Sequence, residues 1–175
     1  NPRVFAPEKP FNAVAQHLDS IKALGTNVVW FMPIYPVGQI KTVNSPYCIS
    51  DYKGVNPEFG TLEEFKNVVS LCHEKGMSVI VDWVANHTSW DNKWIESNPE
   101  WYTHEDGQIV PPIKDWADVA DLNFDNPEMR LAMIDAMKFW VTEVGIDGFR
   151  CDAADFVPFD FWKQCCDSLR AIPDH

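Results

Sequence analysis

The chain has 175 residues, 46% of them hydrophobic, and 14 Lys and Arg against 26 Asp and Glu, a formal charge of −12. That length holds one ordinary core. With no Lys/Arg cluster to neutralise phosphates and no run of 18 apolar residues, nucleic-acid binding and a membrane-spanning segment are both excluded, and a neutral substrate or a cation fits better.

The chain opens at Asn1-Pro2 without an initiator Met or a signal-like segment. The native start is therefore expected to have been removed, and the compartment is not readable. Arg3-Val4-Phe5 reads as the end of an early strand. Helical periodicity runs through Phe11, Val14, Leu18, Ile21 and Leu24, stops at Gly25, and gives way to the apolar run Val28 to Met32, a buried strand. The pattern repeats from Thr61, where Thr61-x-x-Glu64 has capping-box form and Leu62, Phe65, Val69 and Cys72 make a stripe ended by Gly76. Met77 to Val81 is the next strand. A third round begins at Asn126-Pro127, an N-cap followed by Pro, runs through Leu131, Ile134, Met137 and Val141, stops at Gly145 and leads into the strand Ile146 to Asp152. A last helix is expected near Asp160, carrying Phe161, Trp162, Cys165 and Leu169. The five cysteines show neither framework spacing nor a CxxC pattern and read as mostly buried thiols.

Apolar strands alternating with helices specify a parallel sheet covered on both faces. A β/α barrel and an open doubly wound sheet both fit; the missing GxGxxG and Walker patterns favour the barrel. Residues 84–125 are too long and irregular for an ordinary βα connection. Of their aromatics Trp90, Trp94, Trp101, Tyr102 and Trp116, most are expected to form a mini-core, with one or two left to stack on sugar rings.

In barrels, reactive residues gather at the C-terminal strand ends. Asp82 ends one strand, with Asn86 and His87 on its exit turn; Arg150 and Asp152 end another; Tyr47 and Asp51 lie on the loop after the Trp30 strand. Arg150 and Asp152 share a strand face, and a neighbouring guanidinium favours the carboxylate anion, typically lowering an Asp pKa by about 1–3 units. Taken singly, each has a plainer account: a structural salt bridge, a turn-capping Asp82, a loop histidine. Together they predict one rim carrying acids, a guanidinium, an imidazole and a phenol.

At these positions the chain resembles the α-amylase family of retaining α-glucan-active glycoside hydrolases and transglycosylases. The resemblance rests on Gly25-Thr-Asn-Val-Val-Trp-Phe-Met-Pro33, on Tyr47-Cys-Ile-Ser-Asp51-Tyr52, on Asp82-Trp-Val-Ala-Asn86-His87, on Asp121-Leu-Asn-Phe-Asp125, and on Gly148-Phe-Arg150-Cys-Asp152-Ala-Ala154. It spans essentially the whole chain. It implies a TIM-type β/α barrel of which this chain is the first half, about strands 1–4, with residues 1–83 as barrel, 84–125 as an inserted domain B and 126–175 as the fourth strand with its helices. By the same resemblance Asp152 is the catalytic nucleophile, Arg150 orients it, Tyr47 and His87 line the sugar subsite, and Asp82 stands with them behind Arg150. Asn86 and Asp121 match calcium ligands, which backbone carbonyls and waters would have to complete; no organic cofactor is implied.

The implied activity is retaining hydrolysis of α-glucosidic bonds in starch-like glucans, with an α-glucan or sucrose transglycosylase, or a non-catalytic glucan-binding protein, as alternatives. An extracytoplasmic setting is the guess for the whole enzyme. The departures are specific. Where many amylases continue Ala-x-Lys-His after the nucleophile, this chain has Ala153-Ala154-Asp155-Phe156, and the family's acid/base Glu and third acid match nothing in it. The chain alone is therefore expected to be inactive, and an open half-barrel is expected to self-associate. Asn86-His87-Thr88 matches an N-glycosylation sequon, discounted because a glycan there would block the cleft.

Overall fold

The computed structural model describes residues 1–173, so the last two residues of the expected 126–175 segment lie outside it. A short helix α1 (Pro2–Phe5) stands where an early strand was expected. The Asn1 side chain caps it by accepting from Arg3 N at 3.0 Å, and Pro2 occupies its first turn, where a missing N–H costs nothing. Arg3 is drawn away from any sheet by Glu58 at 3.1 Å and by the backbone and side chain of Asn44. Local apolarity suggested a strand; among the described residues no strand pairs with it.

The parallel sheet has the order β1 (Val28–Phe31), β2 (Ser78–Trp83), β7 (Gly148–Cys151). Helices α2 (Pro10–Ala23) and α3 (Leu62–Glu74) precede the first two strands, and α5 (Pro127–Phe139) precedes the third. α3 begins with both halves of its capping box, Thr61 Oγ1 accepting from Glu64 N at 3.1 Å and Glu64 Oε2 from Thr61 N at 2.7 Å. α5 is capped by the Asn126 side chain and continues into a π turn over Trp140–Val144, closed by Gly145 in the left-handed region at φ 83°. α6 (Phe159–Arg170) ends the described chain. Phe31 packs edge-on against Phe11 and Phe65, which joins the sheet to its two first helices. Leu24 and Leu131, expected on buried stripes, are 86% and 60% exposed; on α5 the expected Ile134 and Met137 are buried, joined by Met129 and Met133 rather than Leu131.

Residues 84–125 rise from the end of β2. They comprise β3 (His87–Ser89) paired antiparallel to β6 (Val119–Asp121), the helix α4 (Lys93–Ser97), and the hairpin β4 (His104–Glu105) with β5 (Gln108–Ile109). Trp101, Tyr102, Leu122 and Phe124 sit in the same apolar cluster as the sheet's helix-facing residues. Cys48, Cys72 and Cys165 are buried, Cys151 is half-buried, Cys166 is exposed, and all five are free thiols.

Candidate active site

The parallel register sets Asp82 directly opposite Arg150, so both side chains leave the same face of the sheet. Arg150 Nη1 donates to Asp82 Oδ1 at 3.0 Å and to Asp152 Oδ1 at 2.6 Å. Tyr47 donates its hydroxyl to the other oxygen of Asp82 at 3.1 Å, and Tyr35 holds the Asp82 carbonyl at 2.9 Å. Beneath them the guanidinium lies over the Trp30 ring, 5.5 Å from its centroid. Asp152 is fixed by its own N–H as well, which donates to Trp83 O at 2.8 Å and carries the ladder one residue beyond β7. Among the described residues no protein donor contacts Asp152 Oδ2, which leaves that oxygen available to a reacting carbon.

Burial and hydrogen bonding shift four titratable groups of the site. Hydrogen bonds to the two carboxylates raise the Arg150 pKa above its usual value. Desolvation, with Asp82 alongside, pushes Tyr47 up to about 12, so it remains a donor at neutral pH. Burial raises the Asp82 pKa, opposed by hydrogen bonds from Arg150 and Tyr47. Burial lowers that of His87, against the pull of Asp152 and Asp118, and so favours the neutral imidazole.

Tyr47, His87 and Asp152 line one cleft of about 210 Å³ together with Trp116, Asp118, Ser45, Val43 and Val119. His87 stands at 66° to Trp116, with ring centroids 5.7 Å apart. The turn that presents His87 is tied down by Tyr52, whose hydroxyl lies 2.7 Å from Val84 O and 2.9 Å from His87 O. The Tyr52 ring is flanked by Trp83 and Trp94 at 5.1 Å each, and its carbonyl accepts from Trp140 Nε1 at 2.7 Å.

Two expected rim residues sit elsewhere. Asp82, grouped with the sugar-lining residues at the rim, is 0% exposed; it holds Arg150 and Tyr47 from behind and cannot reach a substrate itself. Asp51 accepts from Lys53 N and lines a separate groove of about 250 Å³ beside Trp94 and Asp135. Of the five aromatics of the 84–125 segment, Trp94, Trp101 and Tyr102 pack inward, Trp90 bonds to Ala117 O beneath Lys41, and Trp116 alone lines the cleft. Sequence reasoning missed Asp118, Tyr35 and the Trp30 ring under Arg150. No spacing rule marks the first, and the other two are joined to the site only by the register of the sheet.

Asn86 immediately precedes β3 and Asp121 ends its partner strand β6: Asp121 pairs with His87, and Leu122 N donates to Asn86 O at 3.1 Å. Asp121 accepts from Thr103 Oγ1 at 2.7 Å, and burial raises its pKa, an environment that a bound cation would relieve. Their oxygen donors suit calcium, but no cluster of three or more metal-ligating side chains occurs among the described residues. Asn86 is 4% exposed, which leaves no room for a glycan in the folded chain.

A model of the α-amylase catalytic domain matches residues 10–117 and 97–174. Alpha-amylase 3 of Dictyoglomus thermophilum is 33% identical over 193 residues, covering 93% of this chain and 37% of that protein. Among solved structures, an α-amylase from Lactobacillus plantarum shares 42% identity at a TM-score of 0.88, covering 92% of this chain and 39% of its own. A maltogenic α-amylase from Thermotoga neapolitana shares 38% at 0.90, covering 97% and 41%. The chain thus spans about two fifths of the length of these three relatives.

Proposed function

Because the chain belongs to the α-amylase family, we propose that it carries the nucleophile side of a site that cleaves α-glucosidic bonds of starch-like glucans with retention. The observation that supports this reading most is the Arg150 guanidinium bridging buried Asp82 and cleft-facing Asp152 while leaving one Asp152 oxygen open. Asp152 attacks the anomeric carbon as the bond to the leaving oxygen breaks, giving a glycosyl ester. Tyr47 offers a ring face and His87 a ring nitrogen to the sugar being transferred. Retaining chemistry needs a second carboxyl about 5–5.5 Å from the nucleophile to protonate the leaving oxygen and then to deprotonate the incoming water. We assign that role to a residue outside these 175, and the 175-residue chain alone is then inactive. The fixed, positively held nucleophile favours catalysis over mere glucan binding. Calcium, if held, would be ligated by Asn86 and Asp121 and would brace the turn that presents His87.

The test is covalent trapping on the full-length protein with a fluorinated α-glucosyl donor, followed by peptide mass spectrometry. An adduct on the peptide containing Asp152, absent in Asp152→Asn, is expected. No adduct, or one that survives the substitution, overturns the assignment.

A further inference from the structure

One carboxylate in the reaction cleft takes no part in holding Asp152. The short segment that leads into β6 is pinned through its main chain: Trp90 Nε1 donates to Ala117 O at 2.9 Å, Cys48 Sγ to Asp118 O at 3.3 Å, and Val119 N to Trp116 O at 3.3 Å. Val119, 4% exposed, then enters β6 opposite Ser89. With its backbone fixed in this way, Asp118 lines the cleft of about 210 Å³ that also receives Tyr47, His87 and Asp152. Asp152 and Asp118 both pull on the His87 imidazole, against the burial that lowers its pKa, so two negative charges converge on one space. Asp152 has a guanidinium at 2.6 Å. Asp118 has no counterpart: among the described residues no donor hydrogen-bonds to its carboxylate, and no Lys or Arg lines the cleft. Lys41, on the loop that brings Val43 to the cleft, is held instead over the Trp90 ring, 3.9 Å from its centroid.

We infer that Asp118 restricts the site to uncharged sugar units: its oxygens accept from the hydroxyls of a neutral glucosyl unit, and its charge turns away a unit that carries phosphate. This rests on reading the chain as glucan-cleaving and goes further by naming which glucans it takes. Sugar hydroxyls are donors, and an ionised carboxylate is a stronger acceptor for them than a neutral oxygen. A phosphate monoester carries about −1.5 to −2 charge at pH 7 and would meet Asp118 and Asp152 together. Arg150 does not offset both, because its charge is already shared between Asp82 and Asp152. The formal charge of −12 on the chain adds to the same field. At separations of a few ångströms, between water-like and protein-like screening, repulsion of this kind corresponds to about tenfold or more in kcat/KM. Discrimination then comes from a fixed like charge rather than from fit.

The test follows fluoride release by the full-length protein from α-glucosyl fluoride and from its 6-phosphate. In both, the sugar compared is the one that must sit on Asp152, and only fluoride leaves. The unsubstituted protein is expected to prefer the neutral donor by at least about tenfold in kcat/KM, and Asp118→Asn, which keeps the shape and removes the charge, to narrow that preference about tenfold. Asp118→Glu is expected to retain it, and high salt to narrow it more in the unsubstituted protein than in Asp118→Asn. An unchanged preference in an active Asp118→Asn protein overturns the inference and leaves the proposed function standing. Equal use of the two donors by the unsubstituted protein does the same, as does turnover of the phosphate by neither protein, which would assign its exclusion to shape. Failure of the unsubstituted protein to release fluoride from the neutral donor overturns the proposed function and this inference with it.

Discussion

Replacing Arg150 by Met isolates what the guanidinium does. Two hydrogen bonds disappear, at 3.0 Å to Asp82 and 2.6 Å to Asp152, but they are not equivalent. The Asp152 side chain is 25% exposed and recovers water, whereas that of Asp82 is 0% exposed and recovers none. A buried hydrogen bond to a charged group contributes about 1.5–3 kcal/mol, and the contact with Trp30, at 5.5 Å, adds about 0.5–1 kcal/mol. Breaking a fully buried pair costs about 3–5 kcal/mol; the 41% exposure of Arg150 places this one lower, at about 2–3 kcal/mol at pH 7. The pH dependence carries the diagnosis. Burial already raises the Asp82 pKa in the folded state, and Arg150 opposes that rise, so the variant raises it further. A carboxyl with a raised folded pKa binds more protons folded than unfolded, and stability falls as pH climbs from the ordinary Asp value near 3.9. The deficit of Arg150→Met should therefore be largest at pH 7 and shrink toward about 1 kcal/mol on going to pH 4, as Asp82 takes up a proton and the missing outer contacts come to dominate. Urea denaturation followed by tryptophan fluorescence, at both pH values, measures it. An equal deficit at the two would refute the claim that a stranded Asp82 charge dominates.

His87 supplies the opposite sign. Its pKa is lowered by burial, so its contribution to stability is present above the free value near 6.5 and is lost as pH falls through the lowered folded one. His87→Gln should flatten the stability profile on the acid side of pH 6.5, and an unaltered profile would assign that acid sensitivity to other groups. Should Asn86 and Asp121 hold calcium in the full-length protein, EDTA lowers its melting temperature and added calcium restores it; no change on chelation removes the metal. Val28 and Trp30, on the edge strand β1, are 51% and 48% exposed, so the 175-residue chain should sediment as a dimer or larger species. Val28→Lys should shift it toward monomer, and an unmodified chain that runs as a compact monomer would count against pairing through this edge.

Short-range chemistry made much of the fold readable. The Thr61–Glu64 capping box, the Asn126 cap before Pro127, and the left-handed glycines Gly25, Gly76 and Gly145 each act over a few residues, and each ends or starts a helix as expected. What escaped depended on distant partners. Val4 and Phe5 have β-forming side chains but, among the described residues, no strand beside them, and Leu131 keeps helical spacing while the packing of α5 turns it to solvent. The site divides in the same way. Arg150 and Asp152 could be placed on one face by alternation alone, while the Tyr47 hydroxyl meets Asp82 across 35 positions of sequence. That Asp82 is sealed from solvent follows from register and from Tyr35, neither of which a motif encodes.

Tyr52 bears on how such a protein can change over generations. One side chain fills the space between two tryptophans, ties two carbonyls of the turn carrying His87, and lends its own carbonyl to Trp140. Loss of its hydroxyl would orphan buried acceptors, and loss of its ring would open a void between layers. Residues 153–159, by contrast, hold through Val157, the Trp162 bond to Ala154 O and the Phe156 ring against Trp116, while Phe156 and Phe159 stay exposed. Inheritance can therefore rewrite these exposed rings one at a time, while the stem that aims His87 admits almost no edits.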